Sequence, residues 1–389
     1  MTFLVHINSI KFRIYQINFI STDAMNDSRE ISIESLLKNT VRVPTREEFD
    51  ELEKNDRKRS GINSDLTMSQ GRRYNDGKHG KMNIDRNVLP YDQNRVKLEK
   101  SIKGVDYINA SWVQRVKECS TYDDLYDFMP SSSMNIILTQ DPTPDTKQHY
   151  LRLIHEQRID VIVHIGSEKN IPHWKKDRFG DLSTELLERS EFGKYVTKEK
   201  VDIFLKHRKS VINHSATVFH FTSWPLNENF EEDDSRNLLA LINLVRQEIG
   251  KPKQNFTIAA HDSSGGVGGA ATFIVTYQMV QDLDSKLRES ESGKPTVGFL
   301  NIYDKVNELR KKRAHMVPSY SNYKFLFSTL AYYASNKANF NYVLPPKNDY
   351  GDEDIFGTYY GLDEDANLDV ENQLGLYQNS RPISNIYVN

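Results

Sequence analysis

The sequence predicts an α/β fold, because short strands and amphipathic helices alternate along the chain. Four runs rich in β-branched residues have the length of strands: NIILTQ, IDVIVHI, TVFHFTSW and FTIAAH. Four segments carry apolar residues at helical spacing: TKQHYLRLIHEQ, DSRNLLALINLVRQEIG, AATFIVTYQMVQDLDSKLRES and VNELRKKR. Asp234 and Ser235 are the predicted N-cap of the second helix. A glycine-rich loop after His261 joins the fourth strand to a helix that begins near Ala270, the usual position of an anion-binding loop.

Composition divides the 389 residues into three parts. Residues 41–335 are predicted to form one α/β domain, preceded by an N-terminal extension, residues 1–40. Charged residues interrupt the apolar start of the chain, so we expect neither a signal peptide nor a membrane span, and Met25 is an alternative start. The acidic, tyrosine-rich residues 336–389 are predicted to be disordered. Their tyrosines either dock adaptor domains or belong to a solubilising tail.

Charge and cysteine content exclude several classes of protein. The formal net charge is -3 at pH 7, which argues against a general nucleic-acid binder. A single cysteine excludes an intrachain disulfide, so a secreted disulfide scaffold is ruled out and a cytoplasmic protein is expected. We find no motif for a cofactor and no metal-ligand spacing, and therefore predict neither.

Six segments match one family in order and spacing. They are RNVLPYDQNRVKL, DYINASW, LTQDPTPDTKQHYLRLIHEQRIDVIVHI, HFTSWPLNENF, AHDSSGGVGGAATFIV and VNELRKKRAHMVPSYSNYKFLFSTL. Together they make this region resemble the protein tyrosine phosphatases, whose signature loop is H-C-S-A-G-x-G-R-T-G-T-F. The resemblance implies a central mixed twisted sheet flanked by helices, with a phosphate-binding loop between a strand and a helix.

The resemblance also implies that no catalytic residue is retained. The replaced positions are Asp262 for the cysteine nucleophile, Gly269 for the arginine, Leu226 for the general acid and Pro318 for the water-orienting glutamine. A leucine cannot deliver a proton and a glycine has no side-chain donor. An aspartate at the nucleophile position is expected to take up the N–H groups of the loop itself and to repel a phosphate dianion.

A degenerate pocket is the expected remnant of the substrate site. Asp85 stands near the position of the tyrosine that stacks on the substrate ring, and Asn322 at that of a second glutamine. The loop is one glycine longer than in the family. The predicted pocket residues are Asp85, His261, Ser263, Ser264, Gly265, Gly266, Gly268 and Asn322.

Basic runs at residues 57–59 and 310–313 could serve as nuclear signals. The second run lies inside a segment that resembles the phosphatases. We therefore interpret residues 310–313 as a solvated helix face.

These observations favour a pseudophosphatase that binds or competes for protein partners in tyrosine-phosphorylation signalling. An enzyme with residual or altered phosphoester hydrolysis is the alternative, and a drifted copy with little function is the third hypothesis. The free replacement of catalytic residues is similar to the tyrosine phosphatase-like proteins of bracoviruses. That likeness implies a role in the host cytoplasm, in suppressing immune-cell adhesion and phagocytosis; a cellular origin is the alternative.

Overall fold

The computed structural model describes residues 29–60, 66–75, 77, 81–102, 104–115, 134–166, 177–207, 210–225, 227–250, 256–291 and 298–337. The strands are β1 (Ile31–Ser32), β2 (Arg95–Ile102), β3 (Val105–Gln114), β4 (Met134–Gln140), β5 (Val161–Ile165), β6 (Asp177–Phe179), β7 (Leu182–Phe192), β8 (Val196–His207), β9 (Ser210–Phe221), β10 (Phe256–Asp262) and β11 (Phe299–Leu300). The helices are α1 (Ile33–Leu37), α2 (Arg46–Arg59), α3 (Ser69–Arg73), α4 (Lys147–Glu156), α5 (Glu232–Ile249), α6 (Gly269–Glu291), α7 (Ile302–Arg310) and α8 (Tyr320–Ser335). The apolar start of the chain, Met25 and the predicted tail beyond residue 337 lie outside the described residues.

A mixed sheet of nine strands forms the centre of the fold, in the order β2-β3-β4-β10-β5-β9-β8-β7-β6. Its four middle strands, β4, β10, β5 and β9, run parallel to one another. The strands on either side pair antiparallel. The predicted mixed sheet flanked by helices is therefore confirmed. Parallel central strands direct all of their carboxyl ends to one edge, where the glycine-rich loop begins.

Helices cover both faces of the central strands. Every residue of β10 is buried, as expected for a parallel strand with a covered sheet on each side. Ile258 and Ala260 pack into a large apolar cluster with α5, α6 and α8. Ala259, which points the opposite way, packs into a second cluster with α4. The loop after β10 is consequently held by a strand that packs on both faces.

The packed unit includes residues that precede Val41, the expected start of the domain. Ser32 caps α1 by accepting a hydrogen bond from the N–H of Ser35 at 3.1 Å. Ile33 and Leu36 lie on the inner face of this short helix and are 1% and 0% exposed. Both belong to the large apolar cluster, so α1 contributes to the core.

Two local predictions were wrong. Helix α5 is capped by Glu231, and Asp234 accepts the Glu231 N–H at 2.8 Å as the third helical residue. Acidic residues stabilise the first turn of a helix, which explains why α5 begins before the predicted cap. The basic run at residues 310–313 is only half solvated, because Arg310 and Arg313 are both 0% exposed whereas Lys311 and Lys312 are exposed.

None of the helices within the described ranges has the length and hydrophobicity needed to cross a membrane.

Candidate functional site

The glycine-rich loop lies at the carboxyl edge of the parallel strands. Strand β10 ends at Asp262 and α6 begins at Gly269, so the loop joins a strand to a helix N-terminus, as predicted. The chain after β4 lies beside it, where the N–H of Asp141 donates to the carbonyl of Asp262 at 2.9 Å. Backbone N–H groups at such a junction converge on one point and can surround an anion.

The anion at this point is the side chain of Asp262. Its Oδ1 accepts the N–H groups of Ser264 at 2.9 Å and Gly266 at 2.7 Å, and the Ser264 hydroxyl at 2.8 Å. Its Oδ2 accepts the N–H of Ala270 at 2.9 Å. A further N–H, that of Gly268, donates to Ser264 Oγ at 3.0 Å. These hydrogen bonds agree with the expectation that Asp262 takes up the N–H groups of the loop.

Burial and a neighbouring negative charge both raise the pKa of the Asp262 carboxylate. Desolvation by burial raises the pKa of Asp262, and the hydrogen bonds from Ala270 and Ser264 oppose that shift. The nearby negative charge of Asp141 raises it further. Four hydrogen bonds from the loop therefore compensate a buried negative charge.

Two consecutive glycines give the loop its shape. Gly265 and Gly266 have φ values of +82° and +74°, a region that residues with a side chain rarely adopt. A Cβ on Gly266 would lie 2.3 Å from the carbonyl oxygen of Thr139, and one on Gly265 would lie 2.7 Å from Val88 Cγ1. The extra glycine is thus accommodated by close approach of the loop to the end of β4.

Arg313 supports the loop from below, a role that the sequence interpretation missed. Its guanidinium donates to Gly265 O at 2.5 Å, to Asn109 Oδ1 at 2.7 Å and to Ser111 Oγ at 2.8 Å. Burial lowers the pKa of Arg313 to about 10, which still leaves it charged at neutral pH. Its position within the segment that resembles the phosphatases was the available signal.

An aromatic cluster covers Gly269, the residue predicted to stand at the position of the family's arginine. A Cβ on Gly269 would lie 2.6 Å from Ile165 Cγ2 and 3.0 Å from Trp224 Cδ2. The Trp224 ring packs edge-on against Phe230 and Phe325, which stack with their centroids 4.2 Å apart. The space above Gly269 is therefore filled by Trp224. Leu226, predicted to stand at the position of the general acid, lies outside the described residues.

Of the predicted pocket residues, Ser264, Gly266 and Gly268 join the hydrogen bonds around Asp262, whereas Asp85 and Asn322 bond elsewhere. Asp85 is exposed and accepts the N–H of Asn87 at 2.8 Å. The N–H of Asn322, a buried residue, donates to Ser319 Oγ at 3.1 Å.

Three further positions differ in exposure. Ser263 is exposed, whereas Pro318 is half-buried. His261 is fully buried beneath the loop, and its Nδ1 lies 2.7 Å from Asp141 Oδ1. Burial lowers the pKa of His261 to about 4, so this ring is neutral at physiological pH.

The fold and the loop define an α/β protein with an anion cradle between a strand and a helix. A family model described as protein-tyrosine phosphatase matches residues 79–332, more than half of the chain. The chain therefore belongs to the protein-tyrosine phosphatase family.

Relatives with curated descriptions agree with this assignment at low identity. The chain is 24% identical to human receptor-type tyrosine-protein phosphatase alpha over 267 residues, which cover 65% of this chain and 29% of that protein. It is 28% identical to mouse tyrosine-protein phosphatase non-receptor type 23 over 275 residues, covering 68% and 14%. It is 26% identical to tyrosine-protein phosphatase 99A of Drosophila melanogaster over 263 residues, covering 63% and 18%. The match thus spans less than a third of each of these relatives.

Proposed function

We propose that this chain is a pseudophosphatase, a tyrosine phosphatase-like protein that acts by binding or competition in signalling and not by catalysis. The observation that carries the proposal is the carboxylate of Asp262, which accepts the backbone N–H groups of Ser264, Gly266 and Ala270. In the family these loop N–H groups hold the substrate phosphate. Here they are occupied by the protein's own side chain.

Nucleophilic chemistry has no suitable group at this position. The Asp262 side chain is buried, and both carboxylate oxygens accept hydrogen bonds from the loop. An aspartate that accepts a phosphoryl group needs a metal or further cations to neutralise the phosphate. Arg313, a candidate cation beside the loop, donates instead to the loop carbonyl of Gly265 and to Asn109 and Ser111.

Charge also opposes capture of phosphotyrosine. At an effective dielectric of about 20, one like charge at ~4 Å costs on the order of 4 kcal/mol. That cost lowers affinity roughly a thousandfold. Partners are therefore expected to bind the surface outside the loop, independently of their own tyrosine phosphorylation. The likeness to bracovirus proteins extends this proposal to suppression of host immune-cell adhesion and phagocytosis from the host cytoplasm.

Hydrolysis assays on the purified full chain test the absence of catalysis. We expect no turnover of p-nitrophenyl phosphate or phosphotyrosine peptides above buffer background, and none in Asp262→Cys, because the thiolate would lack an arginine and an acid. The alternative, residual phosphoester hydrolysis, predicts turnover that survives repurification and disappears in Asp262→Ala. That result would overturn the proposal.

Titration with phosphotyrosine peptides tests the binding mode. We expect no phosphate-dependent binding by the unaltered chain. Binding that appears only in the Asp262→Asn and Asp85→Asn variants, in which a negative charge is removed, would support the proposal. Micromolar, phosphate-dependent binding by the unaltered chain would contradict the proposal. An affinity pull-down from insect blood cells, with and without phosphatase inhibitor, would then identify partners and show whether their capture depends on phosphorylation.

A further inference from the structure

Three side chains that can bind a metal meet beneath the loop, at the ends of three neighbouring parallel strands. Asp141 follows β4, His164 lies in β5 and His261 in β10. Asp141 Oδ1 lies 2.7 Å from His261 Nδ1 and 3.8 Å from His164 Nε2. One ligand atom from each residue lies within 4.8 Å of the others. We propose that Asp141, His164 and His261 form a binding site for a zinc ion.

A hydrogen-bond chain presents a lone pair of His164 to this site. Glu199 Oε2 lies 3.0 Å from His220 Nε2, and His220 Nδ1 lies 3.4 Å from His164 Nδ1. An ionised carboxylate only accepts hydrogen bonds, so the proton of the neutral His220 ring lies on Nε2. His220 Nδ1 then accepts the Nδ1 proton of His164. The Nε2 of His164 is left unprotonated and faces the carboxylate of Asp141.

In metal sites, the histidine nitrogen that does not bind the metal usually donates to a carboxylate, a backbone carbonyl or water, which fixes the tautomer. For His164 the acceptor in this position is the His220 ring. Among the residues that the structure describes, the Nε2 atoms of His164 and His261 have no hydrogen-bond partner, although both residues are 0% exposed. A buried, unpaired nitrogen is costly, and a bound cation would remove that cost for His164.

The site also has an uncompensated negative charge. Asp141 is 8% exposed, and within the described ranges its ion-pair contacts are with His164 and His261 alone. Histidine carries no fixed positive charge, unlike arginine or lysine. A buried carboxylate with these two contacts therefore attracts a cation. Two imidazoles and one carboxylate are a ligand set that zinc prefers over magnesium or calcium.

Zinc binding needs only small movements of these side chains. Bonds of about 2.0–2.2 Å with tetrahedral geometry place ligand atoms roughly 3.3–3.5 Å apart. The 3.8 Å separation of His164 from Asp141 must shorten slightly, and the 2.7 Å separation of His261 from Asp141 must widen. Zinc takes the place of the proton that His261 Nδ1 shares with Asp141, and the neutral ring then carries its single proton on Nε2.

A second cluster with metal-binding groups is already neutralised, which makes it a useful comparison. Glu53, Asp56 and His315 lie close together, but Arg310 Nη1 lies 2.8 Å from Glu53 and 3.1 Å from Asp56. Arg59 also contacts Asp56 at 3.1 Å. Two guanidinium groups thus take the place that a cation would occupy. Zinc should therefore bind at the cluster of Asp141, His164 and His261 and not at this second cluster.

Zinc titration of the chelator-treated full chain tests the proposal. We expect one zinc per chain by elemental mass spectrometry, with affinity falling more than roughly 100-fold in His164→Gln and Asp141→Asn. Glu199→Gln, which loosens His220, should weaken binding about 10–100-fold. Two controls should bind as the unaltered chain does. They are His149→Gln, whose buried ring has no hydrogen-bond partner within the described part of the chain, and His315→Gln in the second cluster.

X-ray absorption of the zinc-loaded, unaltered chain does not depend on the folding of any variant. Two imidazole ligands and oxygen scattering are expected. A chain that retains no zinc, a spectrum with fewer than two imidazoles, or affinity unchanged in both His164→Gln and Asp141→Asn would overturn the proposal.

Discussion

Replacing Asp262 with alanine should convert the closed cradle into an open one. The substitution removes the acceptor of three backbone N–H groups, those of Ser264, Gly266 and Ala270, and of the Ser264 hydroxyl. The Arg313 contact to Gly265 does not involve Asp262, and we expect the conformations of the two glycines to persist. The loop should therefore keep its shape while its donors lose their partner.

The expected cost follows from these four hydrogen bonds. At about 1 kcal/mol net for each, their loss amounts to roughly 4 kcal/mol. Relief of a buried charge offsets part of it, since burial raises the pKa of Asp262. We expect the free energy of unfolding to fall by about 2–3 kcal/mol, which corresponds to a melting temperature lower by roughly 5–10 °C.

Phosphate should restore the lost stability of the Asp262→Ala variant and should not stabilise the unaltered chain. Ligand at 10 to 100 times its Kd stabilises a folded protein by about 1.4–2.7 kcal/mol. Thermal unfolding of the full chain in sodium phosphate, beside sodium chloride of equal ionic strength, measures the gain. The unaltered chain should show none, because Asp262 already holds the N–H groups of the loop.

Asp92 provides a matched control. It accepts four hydrogen bonds, from Thr67 Oγ1, from the N–H and hydroxyl of Ser69 and from the N–H of Gln70, but it is only half-buried. Water can replace it, so Asp92→Ala should lose less stability and gain nothing from phosphate. Equal stabilisation of the unaltered chain and Asp262→Ala by phosphate would refute the reasoning.

Two further substitutions test the support of the loop by Arg313 and the covering of Gly269 by Trp224. Arg313→Met should lower the free energy of unfolding by at least about 3 kcal/mol in denaturant titration, because hydrogen bonds of charged groups contribute roughly 1.5–3 kcal/mol each; Lys312→Met, at an exposed position, should change it by less than about 0.5 kcal/mol. A cost for Arg313→Met no larger than that of Lys312→Met would contradict the supporting role. Gly269→Arg should lower the melting temperature through contact with Ile165 and Trp224, and Trp224→Ala should reduce that penalty in a double-mutant cycle. An additive cycle would show that Trp224 does not fill the space above Gly269.

Periodicity predicted the four central parallel strands and four of the helices, and it missed several other elements. The run FTIAAH was predicted as a strand and forms most of β10, because β-branched and small apolar residues suit a strand covered on both faces. Strands β7 and β8 were not predicted. From residue 186 onward every residue of β7 is exposed, so its polar sequence carries no apolar alternation.

The candidate site likewise contains residues that were predicted from the sequence and residues that were missed. Asp262 and Gly269 were found because they stand in a contiguous motif whose spacing is visible in the chain. Arg313 was misassigned because a basic run normally faces solvent, whereas here hydrogen bonds to Asn109, Ser111 and Gly265 satisfy the buried guanidinium. Asp141 and His164 offered no sequence signal, since neither lies within metal-ligand spacing of another histidine or acid that the fold places beside it.

The loop of this protein keeps its shape because other groups of the chain satisfy its hydrogen-bond donors and acceptors. Asp262 satisfies the N–H groups that a bound phosphate would otherwise satisfy, and Arg313 satisfies the carbonyl of Gly265. Gly265 and Gly266 supply the turn without strain. A loop that is complete without a ligand gains little from binding one, because a phosphate must first displace a carboxylate that already makes four hydrogen bonds. Retention of the loop is thus compatible with the proposed loss of catalysis, and the proposed binding function would depend on other surfaces.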